Sequence, residues 1–135
     1  MKLFFVVLIS LVLASGASAQ QTEHLQKNAG ARPFRYLLYE PEIPEDSQAR
    51  LPLVLFLHGG GEGGSDIEKV KKHGLPKLIE GGKTFPFIVI SPQNPSETQF
   101  WDDEQLIRLL DELEAELPVD PSRIYLTGLS RGGYG

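Results

Sequence analysis

The sequence has 135 residues, 41% of them hydrophobic and 23% charged, an ordinary globular balance that makes about one domain at most. Its formal net charge of −5 argues against nucleic acid and anionic membrane surfaces as partners. It has no cysteine, which excludes a disulfide framework, thiolate chemistry and a lipoprotein anchor.

Met1-Lys2 gives a positive start, Leu3 to Leu13 is an almost unbroken apolar run, and Ala17-Ser18-Ala19 supplies small residues where a signal peptidase reads. This layout predicts a secretory leader over 1–19, cleaved after Ala19, and hence a secreted or periplasmic protein. The apolar run is too short for a spanning helix, which needs about 20 apolar residues, so no stable membrane anchor is expected after cleavage. Loss of Lys2 with the leader takes the net charge from −5 to −6.

Residues 20–31 are polar and irregular and read as a flexible lead-in. Phe34 to Tyr39 is aromatic-rich and partly alternating, a strand pattern, and the segment around Pro41 and Pro44 is a surface loop. Leu53-Val54-Leu55-Phe56-Leu57 is continuously apolar, as in a strand covered on both faces. Ser65 or Asp66 can cap a helix reaching to about Ile79, with an interruption at Gly74-Leu75-Pro76 and a stop at Gly81-Gly82. Phe87 to Ile90 is the next strand, ended by Ser91-Pro92. Asp102 or Asp103 caps a helix whose apolar stripe is Leu106, Ile107, Leu110, Leu113 and Leu117, with Glu104, Asp111, Glu112, Glu114 and Glu116 mainly on the other faces and Glu104–Arg108 a helix-spaced ion pair. Pro118 ends that helix, and Arg123 to Thr127 is a further strand. Alternation of this kind predicts a parallel sheet with helices on both faces.

The last residues are Tyr125-Leu126-Thr127-Gly128-Leu129-Ser130-Arg131-Gly132-Gly133-Tyr134-Gly135. A serine directly after an apolar strand, with Arg131-Gly132-Gly133-Tyr134 opening a helix, sits in a sharp turn that holds its hydroxyl away from the sheet. Gly128 and Gly132 leave room where side chains would collide across the turn, and Gly133 adds room where strand and helix pack. A helix N-terminus there favours negative charge beside the serine. Ser130 is the candidate nucleophile. The second element is His58-Gly59-Gly60-Gly61, after the earlier strand. Acyl transfer creates an oxyanion, and glycines let backbone N–H groups turn toward it; loss of one such donor typically costs about 2.7–4 kcal/mol. The candidate donors are the Gly59 and Gly60 N–H groups and the N–H of Arg131.

The segments "LPLVLFLHGGGEGG", "FPFIVISPQ" and "VDPSRIYLTGLSRGGYG" resemble the N-terminal half of an α/β-hydrolase. They are similar above all to exported relatives of dienelactone hydrolases, prolyl oligopeptidase-like predicted peptidases, and polyhydroxybutyrate depolymerase or feruloyl esterase-like proteins. The resemblance covers nearly everything from Arg32 onward. It implies a three-layer α/β/α domain with a mostly parallel sheet, of which 32–135 would be the N-terminal part, truncated after the nucleophile turn. It also implies a serine esterase that needs no metal or organic cofactor and takes a small-molecule or polymer ester. In this fold the triad runs Ser, then Asp or Glu, then His, so the acid and base would follow Ser130 and the 135-residue piece alone would be inactive. Arg131 stands where such proteins often have Met or Gln; its backbone N–H is unaffected. The alternatives are a prolyl oligopeptidase-like serine peptidase and an exported binding protein that keeps the fold without the chemistry.

Other patterns are weaker. Gly59-x-Gly61-x-x-Gly64 matches a dinucleotide fingerprint, but Glu80 precedes the next strand instead of ending it, and Gly82-Lys83-Thr84 lacks the earlier glycine of a phosphate loop. His24, His58 and His73 all precede the serine, the wrong order for the base. Asp102-Asp103-Glu104 reads as capping rather than metal ligation, and Trp101 as core.

Overall fold

The computed structural model describes residues 20–30 and 32–135. The predicted leader, Met1 to Ala19, lies outside the described residues. Five strands, β1 (Thr22–Leu25), β2 (Arg35–Tyr39), β3 (Leu51–Leu57), β4 (Ile88–Gln93) and β5 (Val119–Gly128), form one sheet in the order β1-β2-β4-β3-β5. The β4–β3 and β3–β5 pairs are parallel, whereas β1–β2 and β2–β4 are antiparallel, so the sheet is mixed with a parallel half that carries the glycine loop and the serine.

Each central strand sends alternate residues to opposite faces. Tyr36, Leu38, Leu53, Leu55, Leu57, Ile88 and Ile90 pack toward helix α2 (Asp103–Glu116), whose Leu106, Leu109 and Leu113 close that core. On the other face Leu37 meets Ile67 and Val70 of a 3-10 segment, Ile67–Lys72, and Tyr39 and Val89 meet Ile79 of helix α1 (Gly74–Glu80). This is the expected three-layer arrangement. Complete burial of a Leu or Ile side chain typically contributes about 1.5–3 kcal/mol, so the α2-side cluster dominates the stability of the unit.

Several local expectations are corrected. Residues 20–31 are not an irregular lead-in throughout: Thr22–Leu25 pairs with β2, Gln21 and Gln26 are buried, and the Glu112 carboxylate accepts the N–H groups of Lys27 (3.0 Å) and Asn28 (2.7 Å). Glu112 is therefore an interior residue of α2 and not a solvent-facing one. Strand β4 does not stop at Ser91-Pro92. Its recorded pairing with β3 ends at Leu55↔Ile90, and beyond that point only β2 flanks it, so the missing N–H of Pro92 is tolerated as on an edge. The helix expected from Ser65 or Asp66 to Ile79 divides at His73: the Asp66 side chain accepts the Glu68 N–H at the start of the 3-10 segment, and α1 follows separately.

In α2 the Asp102 carboxylate caps the helix by accepting the Gln105 N–H at 3.0 Å, and Glu104–Arg108 is an ion pair at 3.6 Å. The buried stripe is Leu106, Leu109 and Leu113; Ile107 is 59% exposed. Ile107 and Leu110 instead face a groove of about 290 Å³ shared with Ile124 and Leu126 of β5. Strand β5 is an edge of the sheet, with Tyr125 and Leu126 more than half exposed.

Candidate active site

The parallel pair β3–β5 brings the two glycine motifs together. Leu57 lies opposite Gly128 at the carboxyl ends of these strands, and the Leu129 N–H donates to the Leu57 carbonyl at 3.1 Å. The next residue, Ser130, has φ +49, the only positive φ outside glycine among the described residues. A side chain held in that region costs on the order of 1–3 kcal/mol and persists only where its surroundings enforce it. The enforcement is visible. The Gly132 N–H donates to the Leu129 carbonyl at 2.8 Å. A Cβ on Gly128 would collide with the Gly132 carbonyl, and one on Gly132 with the carbonyls of Leu57 and His58. Both flanking glycines are thus sterically required. Gly133 is not: a Cβ there would meet only the Gly128 carbonyl, at 3.9 Å. Ser130 opens a five-residue 3-10 turn, Ser130–Tyr134.

The glycine loop runs alongside. A Cβ on Gly59 would lie 3.6 Å from the Ser130 Cβ and 3.5 Å from the Leu129 carbonyl. At Gly60 it would lie 2.8 Å from Nη2 of Arg131, whose guanidinium folds back over the loop and donates through Nη1 to the carbonyls of Glu97 (2.8 Å) and Gln99 (3.4 Å). Gly61 has open space around it and begins no close contact. The structure therefore places Ser130, Arg131, Gly59 and Gly60 in one neighbourhood, with Gly128 and Gly132 as its steric support.

His58 is buried beneath this neighbourhood. Its Nδ1 donates to the Gly59 carbonyl at 2.6 Å, and its Nε2 accepts the Asn94 N–H at 2.9 Å. Both nitrogens are committed, which fixes the neutral tautomer, and burial holds its pKa below the ordinary histidine value; the nearby Arg131 charge acts in the same direction, while the Gly59 carbonyl and Glu62 oppose it. His58 thus fastens the glycine loop to the loop after β4. Trp101 packs against it with the rings 4.8 Å apart and tilted by 60°, and meets Phe34 edge-on at 5.8 Å, a core position. His24 lies on β1 against Tyr36, and among the described residues Ser130 Oγ has no hydrogen-bonding partner. No α-helix opens at Gly64, as a dinucleotide site would need; Gly60–Glu62 is a short 3-10 turn.

Two features escaped the sequence reading. Glu62, four residues after His58, is nearly buried between His58 and His73 at the Gly59 edge of the site. A cavity of about 320 Å³, lined by Arg32, Phe34, Asn94, Gln99, Phe100 and Arg108 among others, shares with the serine turn the wall formed by 94–100. The i,i+4 spacing of His58 and Glu62 is the only trace of the former in the sequence; the cavity has none, because its walls come from distant segments.

No protein-family model matches the chain. It is 26% identical over 140 residues to a poly(3-hydroxyalkanoate) depolymerase C of Paucimonas lemoignei, an alignment that takes in 92% of this chain and 32% of that protein. A thermostable esterase superimposes with a TM-score of 0.62 and 26% identity, over 85% of this chain and 36% of its own. A bacterial heroin esterase gives 0.58 and 22% over 87% and 37%, and an acylaminoacyl peptidase 0.55 and 22% over 85% and 20%. These neighbours share the α/β-hydrolase fold, and the described elements have that fold, as the motifs implied. The chain spans about a third of the length of the curated relative and of the two esterases.

Proposed function

We propose, from this fold and the serine turn it carries, that the protein is a serine hydrolase that cleaves carboxylic esters through an acyl-enzyme on Ser130. The observation that carries the reading is the backbone of Ser130: an exposed serine at φ +49, held by two glycines that admit no side chain, at the carboxyl ends of the parallel strands β3 and β5. In this reading Ser130 Oγ attacks the ester carbonyl carbon and gives its proton to a histidine base. The carbonyl electron pair moves onto oxygen and is held by the N–H groups of Arg131 and of the Gly59–Gly60 loop. Collapse then expels the alcohol, which takes back the proton, and water releases the acid by the same path. His58 is unsuited to be that base, because both its nitrogens are engaged; the acid and the base belong after Ser130 in the order of this fold.

Together with the leader expected over 1–19, the reading places the protein outside the cytoplasm, acting on a small or polymeric ester. Preference for esters over peptide amides follows the sequence likeness to an esterase and a depolymerase at 26% identity each, whereas the peptidase likeness, at 22%, speaks to fold alone. The test uses the full-length protein. A fluorophosphonate probe should label Ser130. Short p-nitrophenyl esters should turn over faster than the corresponding anilides, and Ser130→Ala should lower ester turnover by about 10³-fold or more. Absence of labelling would favour the binding-protein alternative, and faster anilide cleavage the peptidase.

A further inference from the structure

The Glu62 carboxylate lies against Gly59, and the chemistry proposed for Ser130 leaves it without a part. Its side chain is 11% exposed. Among the described residues its oxygens receive no hydrogen bond: His58 Nδ1 stands 3.8 Å away with its proton on the Gly59 carbonyl, and His73 Nε2 is 3.6 Å away, both beyond hydrogen-bonding reach. A largely covered carboxylate with no protein donor is not needed to hold the sheet or its caps together, so its placement calls for another account. Its position is specific. Oε2 lies 3.3 Å from where a Gly59 Cβ would stand, and the Ser130 Cβ lies 3.6 Å from that same point. One residue on, the Arg131 guanidinium occupies the corresponding place at Gly60, with Nη2 at 2.8 Å. Gly59 thus has a carboxylate, and Gly60 a guanidinium, where a side chain of its own would otherwise stand.

We propose that Glu62 and the Arg131 side chain form a clamp of opposite charges that holds the Gly59–Gly60 backbone in register with Ser130, which makes Glu62 a positioning residue for the ester hydrolysis proposed above, on which this inference rests. The clamp has fixed anchors on both sides. Arg131 is tied by Nη1 to the carbonyls of Glu97 and Gln99, and the backbone carbonyl of Glu62 accepts Nε2 of the buried Gln93 at 2.9 Å. Glu62 acts through the loop whose N–H groups would meet the oxyanion. Positional tolerance at such donors is narrow, so a small loop displacement falls on kcat and leaves ground-state binding nearly unchanged.

The experiment compares wild-type full-length protein with Glu62→Gln, which keeps shape and removes charge, and Arg131→Met, which keeps the backbone N–H and removes the guanidinium. Each should lower kcat by about tenfold or more with KM within about twofold. Their thermal midpoints should stay level, because Glu62→Gln keeps shape and breaks no hydrogen bond and the bonds lost in Arg131→Met are exposed ones. Amide hydrogen exchange over 58–63 should quicken in both variants while β3 and β4 keep their protection. Wild-type kcat and exchange in Glu62→Gln overturn the clamp, and so does a loss of kcat that merely tracks a fall in thermal midpoint, the signature of a structural role. If the protein cleaves no ester, the hydrolase reading falls and exchange decides the clamp by itself: faster exchange over 58–63 in the variants retains it, and unchanged exchange discards it as well.

Discussion

At the scale of single residues, the state of His58 is set by what surrounds it. Its ring is buried, one nitrogen donates to the Gly59 carbonyl and the other accepts the Asn94 N–H, so protonation would break the second bond and place a charge beside Arg131. Its folded pKa is therefore below the unfolded value of about 6.5. For a depressed histidine the unfolded chain takes up the proton first as pH falls. The contribution to stability is then present above about pH 6.5 and is lost between that value and the lower folded pKa. Titration of the His58 ring by NMR should show a midpoint below 6.5 and the neutral Nδ1–H tautomer at pH 7; a midpoint at or above 6.5 would contradict the buried geometry. Ser130 is the opposite case, since its strain comes from backbone φ and is enforced by close contacts two residues away on either side.

At the scale of elements, α2 shows which stripe of a helix carries the fold. Leu109→Ala, at a wholly buried position against the sheet, should cost about 2–5 kcal/mol. Ile107→Ala, on the exposed flank, should change stability by no more than about 0.5 kcal/mol. Denaturant titration of both variants checks the assignment, and a reversed ranking would rotate the helix. From sequence the stripe was placed one flank too far, because α2 has apolar residues on two adjacent faces and periodicity alone does not say which face meets the sheet. What was legible rested on strong local chemistry: the apolar run of β3, the caps at Asp66 and Asp102, and the glycine spacing around Ser130. What was not legible depends on partners distant in sequence. Thr22-Glu23-His24-Leu25 carries no strand pattern and is ordered by pairing with β2, by Arg35–Glu23 and by the Glu112 carboxylate. Glu62 looks like a loop acid until the fold brings it beside Gly59.

At the scale of the whole molecule, the described residues leave one flank uncovered. Tyr125, Leu126, Ile107 and Leu110 border an apolar groove beside the unpaired edge of β5. Residues 20–135 expressed alone should therefore melt with a shallow transition and show no ester turnover above background, since edge and groove remain wet and, among the described residues, no histidine hydrogen-bonds Ser130. Scanning calorimetry and an ester assay on that polypeptide check this, and sharp melting with Ser130-dependent turnover would place the base within the chain. The sheet order carries a further consequence, in time rather than in energy. β1 and β2 meet across a short stretch, with His24 opposite Tyr36, whereas β5 pairs only with β3, and Leu53 must wait for Ile124. Contacts of such separation form slowly, and a ribosome adding about 5–20 residues per second takes several seconds to supply the later strand. Among the described elements, the β1–β2 pairing is thus expected to form ahead of the β3–β5 pairing, and the strained backbone at Ser130 only after the loops that enforce it are in place.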